Sequence, residues 1–421
     1  MKLEIERQDF LKAWQNAEKL TASKTSNESA KGVLITASED NTVILEATDL
    51  STSIRCRAKG ANVTEPGKAV IPAAIFGGIL RKLDTEDVVL EVNSERGFLN
   101  AGRNKMRFAV ISAETFPNIP ESSSAEVVCE IPAPVLARII AEGSSAASQP
   151  QDFPKYLGTC LMRCSGGQLT AVSTDGKRLS LSKAPCMASK DEDLLLPANS
   201  LKELGKNLGS LGEEKTVRIL SGDSVVWFGL EEAEYSIRSV EASFPKYERI
   251  LNEDKHTILK TNAAELLKVL ERIDIIAKTT TAHIMSVSMN PGGDMRITAR
   301  APELGTASET LQPEITGEYL QLGFNVGYFM DGLKALGNEQ AVIEFSGEEG
   351  QTRMKRDGTE DFLYMLMPAR LSTQDAMTEE ESADFTSAPY EPMPEPENQQ
   401  EQPQGSQESE SQQNNESDTP F

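Results

Sequence analysis

The chain has 421 residues, too long for one ordinary core and enough for about three domains. Apolar residues make up 38 % of it and no run of about 18 of them occurs, which points to globular domains and away from a membrane-spanning helix. The formal net charge of −23 argues against a nucleic-acid partner until it is divided: residues 372–421 hold thirteen Asp or Glu and no Lys or Arg, leaving −10 on residues 1–371, a body that can still carry a positive face.

In chain order, residues 1–6 alternate like a strand, with no signal-peptide pattern. A helix follows at 9–20, with Phe10, Trp14 and Ala17 on one face, Lys12 and Lys19 off it, and Asp9 placed to cap it. Residues 42–47 read as a strand, 72–83 as a helix with Pro72 in its first turn, and 87–92 as a strand. The same order returns. Helices are expected at 133–142 and 198–208, where Leu201, Leu204 and Leu208 make an apolar stripe with Lys202 and Lys206 beside it. Two more fall at 263–273, capped by Asn262, and at 325–336, before a strand at 340–345. Turns are expected at 40–41, 84–86, 94–97, 166–167 and 291–293.

Phe116-Pro117, Phe244-Pro245 and Met367-Pro368 each close such a series, and their prolines lie 128 and 123 residues apart. The chain therefore reads as three α+β units, each a sheet with two helices on one side. From Ser372 onward Gln, Glu, Ser, Pro and Asn dominate; that composition buries too little to offset its ordering entropy and reads as a disordered acidic tail.

Signs of catalysis are sparse. No Gly-x-Gly-x-x-Gly and no phosphate loop ending in Gly-Lys-Ser/Thr occurs, and His256 and His283 stand in no metal spacing. Cys56, Cys129, Cys160, Cys164 and Cys186 are scattered and read as reduced thiols of a cytosol. Cys160 and Cys164 lie four apart in a strand-like run as small packing residues, and no second pair or neighbouring His makes them a metal site. Asp175-Gly176 joins two strand-like runs, 168–173 and 178–182, as a two-residue hairpin turn, since both residues tolerate positive φ.

That hairpin, Ser173-Thr174-Asp175-Gly176-Lys177-Arg178-Leu179-Ser180, together with Tyr156-Leu157, Phe244-Pro245-Lys246-Tyr247 and Met367-Pro368-Ala369-Arg370-Leu371, resembles the bacterial DNA sliding clamp family, the β subunit of the replicative DNA polymerase. The resemblance runs in order over residues 1–371. It implies three similar clamp domains at 1–121, 127–251 and 256–371, with sheets outside and helices inside, the tail 372–421 lying beyond the family pattern. It further implies a head-to-tail homodimeric ring around double-stranded DNA, in the cytoplasm. Such a ring tethers DNA polymerase, the clamp loader and other proteins carrying short clamp-binding peptides, and confers processivity without catalysis, cofactor or metal.

The resemblance assigns residues as well. A partner-peptide pocket would comprise Leu157, Thr174, Gly176, Lys177, Arg178, Leu179, Pro245, Arg249, Ile250, Met367, Pro368, Ala369, Arg370 and Leu371, with an adaptable apolar floor and Arg178, Arg249 and Arg370 hydrogen-bonding partners at the rim. DNA contacts fall to Lys24, Gln151, Lys155, Tyr156, Arg81, Lys82, Lys202 and Lys206, with Lys12, Lys19, Arg138, Lys268, Arg272 and Lys334 as further helix cations. Met106 and Phe108 would meet Ile275 and Ile276 across the dimer seam. Three departures stand out: Lys155 where the family often has an aromatic residue, Lys177 where it often has His, and a tail that starts at the pocket's edge and is placed to compete for it or repel DNA. Without the resemblance, two other readings stand: a hydrolase using Asp175, or a monomeric protein-binding scaffold.

Overall fold

Among the described residues, every α-helix grows straight out of a strand. The helices are α1 (Arg7–Glu18), α2 (Ala73–Lys82), α3 (Ala133–Gly143), α4 (Ala198–Leu208), α5 (Ala263–Ala277) and α6 (Val326–Leu336). Pro72, Pro132 and Pro197 end the strands before α2, α3 and α4 and stand at their N-cap positions with φ of −55°, −58° and −57°. A proline there forfeits no helical hydrogen bond and points the chain into the helix. Asn262 and Asn325 do the same work by capping: their side chains accept from Glu265 N and Tyr328 N. The computed structural model describes residues 1–22, 25–93, 95–149, 152–251 and 254–371. Lys24, Gln151, Ser94 of the expected turn at 94–97, and the segment 372–421 lie outside these.

Three boundaries differ from expectation. α1 begins at Arg7, so Asp9 sits in the first turn and pairs with Lys12 at 2.7 Å instead of capping. Pro72 precedes α2 instead of opening its first turn. α5 runs on to Ala277, because Ile273 and Ala277 extend its buried stripe and nothing breaks it.

Among the described residues the strands form two sheets of nine, one of five and one of four, and the numbers have a simple origin. Each third of the chain contributes a five-stranded and a four-stranded sheet. Ala233–Arg238, at the edge of the second five, pairs antiparallel with Thr52–Arg57, at the edge of the first four. Phe362–Leu366 of the third five pairs in the same way with Arg178–Pro185 of the second four. What remains is the five of the first third, ending on Asn104–Ala109, and the four of the last, ending on Gly305–Leu311.

Helices pack in pairs, α1 with α2, α3 with α4 and α5 with α6. In the first pair Trp14 meets Phe76 at 4.6 Å between centroids, and Phe76 meets Phe108 at 5.6 Å. Leu201, Leu204 and Leu208 are buried as their spacing predicts. Each such side chain contributes about 1.5–3 kcal/mol on burial. One apolar cluster runs through the first and second thirds, and a separate one fills the last. The junction between the second and last thirds adds charge. Glu142, buried on α3, accepts from Ser182 Oγ at 2.5 Å and pairs with Arg138 at 3.0 Å and with Arg356.

Candidate functional site

The hairpin is held by its own side chains. Thr174 Oγ1 donates to Arg178 O (2.7 Å) and accepts from Gly176 N (3.1 Å). Asp175 Oδ1 accepts from Lys177 N (2.9 Å) and Arg178 N (3.0 Å). Gly176 takes φ +84°, the conformation a side chain resists. These bonds hold three residues between the strands, not two: the Asp and Thr side chains reinforce a long main-chain bond from Asp175 N to Arg178 O at 3.4 Å. The Asp175 carboxylate is thereby committed to the turn and to Arg178, which removes the basis for an acid–base role.

The first third repeats this turn bond for bond. Thr48 Oγ1 donates to Thr52 O and accepts from Leu50 N, while Asp49 Oδ1 accepts from Ser51 N and Thr52 N. Leu50 holds the left-handed place, at φ +79°.

Arg178 does not stand at a rim. Its side chain is 9 % exposed, pairing with Asp175 at 2.9 Å and Asp331 of α6 at 2.6 Å. It also donates to Tyr364 Oη at 3.0 Å and lies 4.1 Å from the Tyr328 ring centre. Burial alone would lower its pKa, but Tyr364, Asp331 and Asp175 outweigh that and hold the guanidinium above the usual arginine value. Through Nη1, with Nε held by Asp175, Arg178 thus ties the second third to the last, and it also lines the hollow between hairpin and C-terminal segment.

The C-terminal pieces are stitched on both sides. Met367 N donates to Lys177 O at 3.0 Å, and Ala369 N to Gly323 O at 2.8 Å. A Cβ on Gly323 would come within 2.5 Å of Ala369 O, so only glycine lets the strands approach this closely. Between hairpin and C-terminal segment opens a hollow of about 250 Å³, lined by Thr174, Gly176, Lys177, Arg178, Leu179, Ile250, Gln351, Met365, Leu366 and Met367. A second hollow of about 560 Å³ is lined by Pro368, Ala369, Arg370 and Leu371 with Gln321, Leu322, Gly323, Glu348 and Glu349.

Of the expected pocket residues, Leu157, Pro245 and Arg249 line neither hollow. Leu157 neighbours Tyr156, whose ring meets Phe244 at 6.1 Å, and Phe244 meets Tyr247 at 6.2 Å. Tyr247 in turn joins Leu179 and Met365 in a small apolar cluster. Ile250 and Met367 are exposed large apolar side chains. Gln351, Met365 and Leu366 were missed. The run into Met367 carried a signal for the last two; Gln351, which donates to Ile250 O at 2.9 Å, carried none.

The matching junction between the first and second thirds is different. Its hollow is about 70 Å³ and lined by Thr48, Leu50, Ser51, Ser53, Pro117, Asn118, Pro120, Val225, Ser236 and Arg238. Polar Ser53 and Ser236 there have no counterpart in the apolar floor of Leu179 and Met365.

The helix side gathers cations. A hollow of about 1010 Å³ is bordered by Arg138, Lys202, Lys206 and Lys334 from α3, α4 and α6. Carboxylates neutralise much of this charge: Lys12 pairs with Asp9, Arg81 with Glu18, Lys206 with Glu203 and Arg272 with Glu309. Among the described residues, Lys82, Lys155, Lys202 and Lys268 have no ion-pair partner. Burial lowers the Lys202 pKa, with Arg178 and Lys206 adding repulsion. Lys19 reaches Asn207 at 3.1 Å. Tyr156 turns its ring toward Phe244.

On the edge strand Asn104–Ala109, Phe108 is buried in its own core and Met106 packs partly against it. Ile275 is 57 % exposed, while Ile276 packs partly against the last core. Lys105 and Arg107 stand exposed on the first edge. The other edge carries Glu309, bound by Arg272 at 2.5 Å, which fixes α5 beside the strand.

Three domain models match in order: the N-terminal domain of the DNA polymerase III beta subunit over residues 1–120, its central domain over 130–246, and its C-terminal domain over 248–370. The chain belongs to the DNA polymerase III beta subunit family. It is 28 % identical over 376 residues to the beta sliding clamp of Salmonella typhimurium, covering 88 % of this chain and all of the relative. The crystal structure of the DNA polymerase III subunit beta from Pseudomonas aeruginosa superposes with a TM-score of 0.81 at 26 % identity, again over 88 % of this chain and all of that one. The DNA polymerase sliding clamp from Bacillus subtilis shares the fold with a TM-score of 0.82 at 23 % identity, over the same shares.

Proposed function

We propose that two copies of this chain close head to tail into a ring around duplex DNA and tether DNA polymerase and other replication proteins to it, conferring processivity without bond chemistry. The observation that carries this reading is the sheet arithmetic. Two five-plus-four seams are closed within the chain, and one five and one four are left over at its two ends. A second copy supplies the missing partner to each, so both edges vanish in a closed two-fold assembly. Cationic Lys105 and Arg107 would face the Glu309 edge, with Met106 and Ile275 the apolar part of the contact.

The hollow beside the hairpin suits an extended peptide. Covering ~200–300 Å² of apolar surface yields ~5–8 kcal/mol gross, and ordering the peptide removes several of these. The result is exchangeable binding, as a shared platform for polymerase, clamp loader and other partners needs. The stitched segment Met367–Leu371 and Ile250 supply adaptable apolar contacts. On the helix side, cations that are sparse and largely neutralised hold phosphates weakly, which favours sliding over sticking. Free cysteines and the absence, among the described residues, of any helix long and apolar enough to cross a membrane support a place in the cytoplasm.

The test is retention on circular DNA after loading by a clamp loader. A ring stays on closed circles and leaves once they are cut; a protein that binds by adhesion leaves both at one rate.

A further inference from the structure

The described cysteines are free, yet three of them converge. The Sγ atoms of Cys129, Cys164 and Cys186 all lie within 4.8 Å of one another, with Cys164 and Cys186 at 3.9 Å. Their spacing in the chain, 35 and 22 residues, hides this from any motif search. We propose that these three thiols form a binding site for a soft, thiophilic d10 cation such as zinc.

The geometry is that of a built site. Cys129 lies in the strand Glu126–Pro132 of one nine-stranded sheet, and Cys164 near the end of Thr159–Ser165 in the other. Cys186 sits where the chain crosses between the sheets, after Arg178–Pro185 and before Met187–Ala188. Main-chain bonds hold this crossing: Cys186 N donates to Gly167 O at 2.9 Å and Ser189 N to Val128 O at 2.8 Å. Sulfur ligands of zinc stand ~2.3 Å from the metal, and hence ~3.8–4.0 Å apart. The three thiols, all within 4.8 Å of one another, need to draw together by about an ångström at most. Cys129 and Cys164 are buried while Cys186 is half-buried, which gives an ion an entry side and leaves the fourth position to water or an added thiol. Asp191 is occupied elsewhere, accepting from Ser165 Oγ and Gly166 N. Soft sulfur ligands select zinc, cadmium or copper(I) over magnesium and calcium. Bound there, the ion staples the two sheets of the middle third at the far end of the strand that begins at Arg178.

The test uses the reduced, metal-stripped full chain titrated with cadmium or zinc alone. The expected result is one equivalent bound per chain, a thiolate-to-cadmium charge-transfer band in the ultraviolet, and a thermal midpoint that rises with metal concentration. The band disappears in Cys129→Ser, Cys164→Ser and Cys186→Ser, and persists in Cys56→Ser and Cys160→Ser. The wild-type titration needs no variant to fold. No stoichiometric binding, a band untouched by the three substitutions, or a Cys164–Cys186 disulfide that forms in air with no metal capacity in the reduced chain would each overturn the proposal.

Discussion

The guanidinium of Arg178, in the second third of the chain, meets the carboxylate of Asp331, on a helix of the last third, at 2.6 Å. The residue that opens a strand beside the hollow is thus also the bolt between two domains. Arg178→Met removes this bond and leaves the nearly buried Asp175 unpaired. Loss of one partner from a buried pair costs about 3 kcal/mol. Thermal unfolding should show that loss, and titration with a labelled clamp-binding peptide should show weaker binding. Arg178→Lys should rescue neither in full, since a lysine cannot reach Asp175, Asp331 and Tyr364 together.

Gly323 governs the other side of the hollow. An alanine Cβ there would lie 2.5 Å from Ala369 O and 2.9 Å from the Leu371 side chain, so the C-terminal segment must shift. Gly323→Ala should weaken peptide binding by about tenfold, or ~1.4 kcal/mol, while leaving dimer mass in sedimentation unchanged.

Leu50 and Gly176 occupy one position in two copies of the same turn, yet only one is glycine. A leucine held at φ +79° carries about 1 kcal/mol of backbone strain or more, offset partly by the entropy glycine loses on folding. Leu50→Gly should raise stability by ~0.5–1 kcal/mol, read as a higher melting temperature. Gly176→Leu should lower it.

Acid should loosen the junction between the second and last thirds. Burial alone would raise the pKa of Asp361, but Thr359, Arg356 and Arg138 outweigh it and hold the carboxyl below its ordinary value. A depressed folded-state pKa stabilises fully above the unfolded value of about 3.9 and is lost as pH falls through the folded one. Stability measured against pH below about 4 should therefore fall less steeply in Asp361→Asn than in the unaltered chain.

The parts of this architecture that were legible in the sequence are those written locally. Strand, then Pro or Asn, then an apolar stripe marks α2 to α6, and Thr-Asp-Gly marks the hairpin. The start of α1 was misplaced because Asp9 mimics a cap while strand Lys2–Glu6 leads into the helix without a loop. What sequence reading missed depends on partners far along the chain. Arg178 turns inward because Asp331 and Tyr364, some 150 and 190 residues on, outcompete solvent for it. Gln351 reaches the hollow only through the fold, and the three converging cysteines come from two sheets and the crossing between them. Phe108 lies on an edge strand, but its packing against Phe76 depends on a helix about 30 residues earlier in the chain.

Charge on the helix side should matter in small steps. Lys82→Ala, Lys155→Ala or Lys202→Ala should each weaken DNA binding slightly at low salt and reduce the salt slope by about 1. None should abolish retention on a closed circle, since enclosure and not adhesion holds the DNA.

That distinction is tested most directly by loading the labelled protein onto nicked circular DNA, cutting half the sample once, and separating bound from free protein over time at high salt. The account predicts stable retention on the circle and rapid loss from the linear form. Equal loss from both, or equal retention on both, would contradict it.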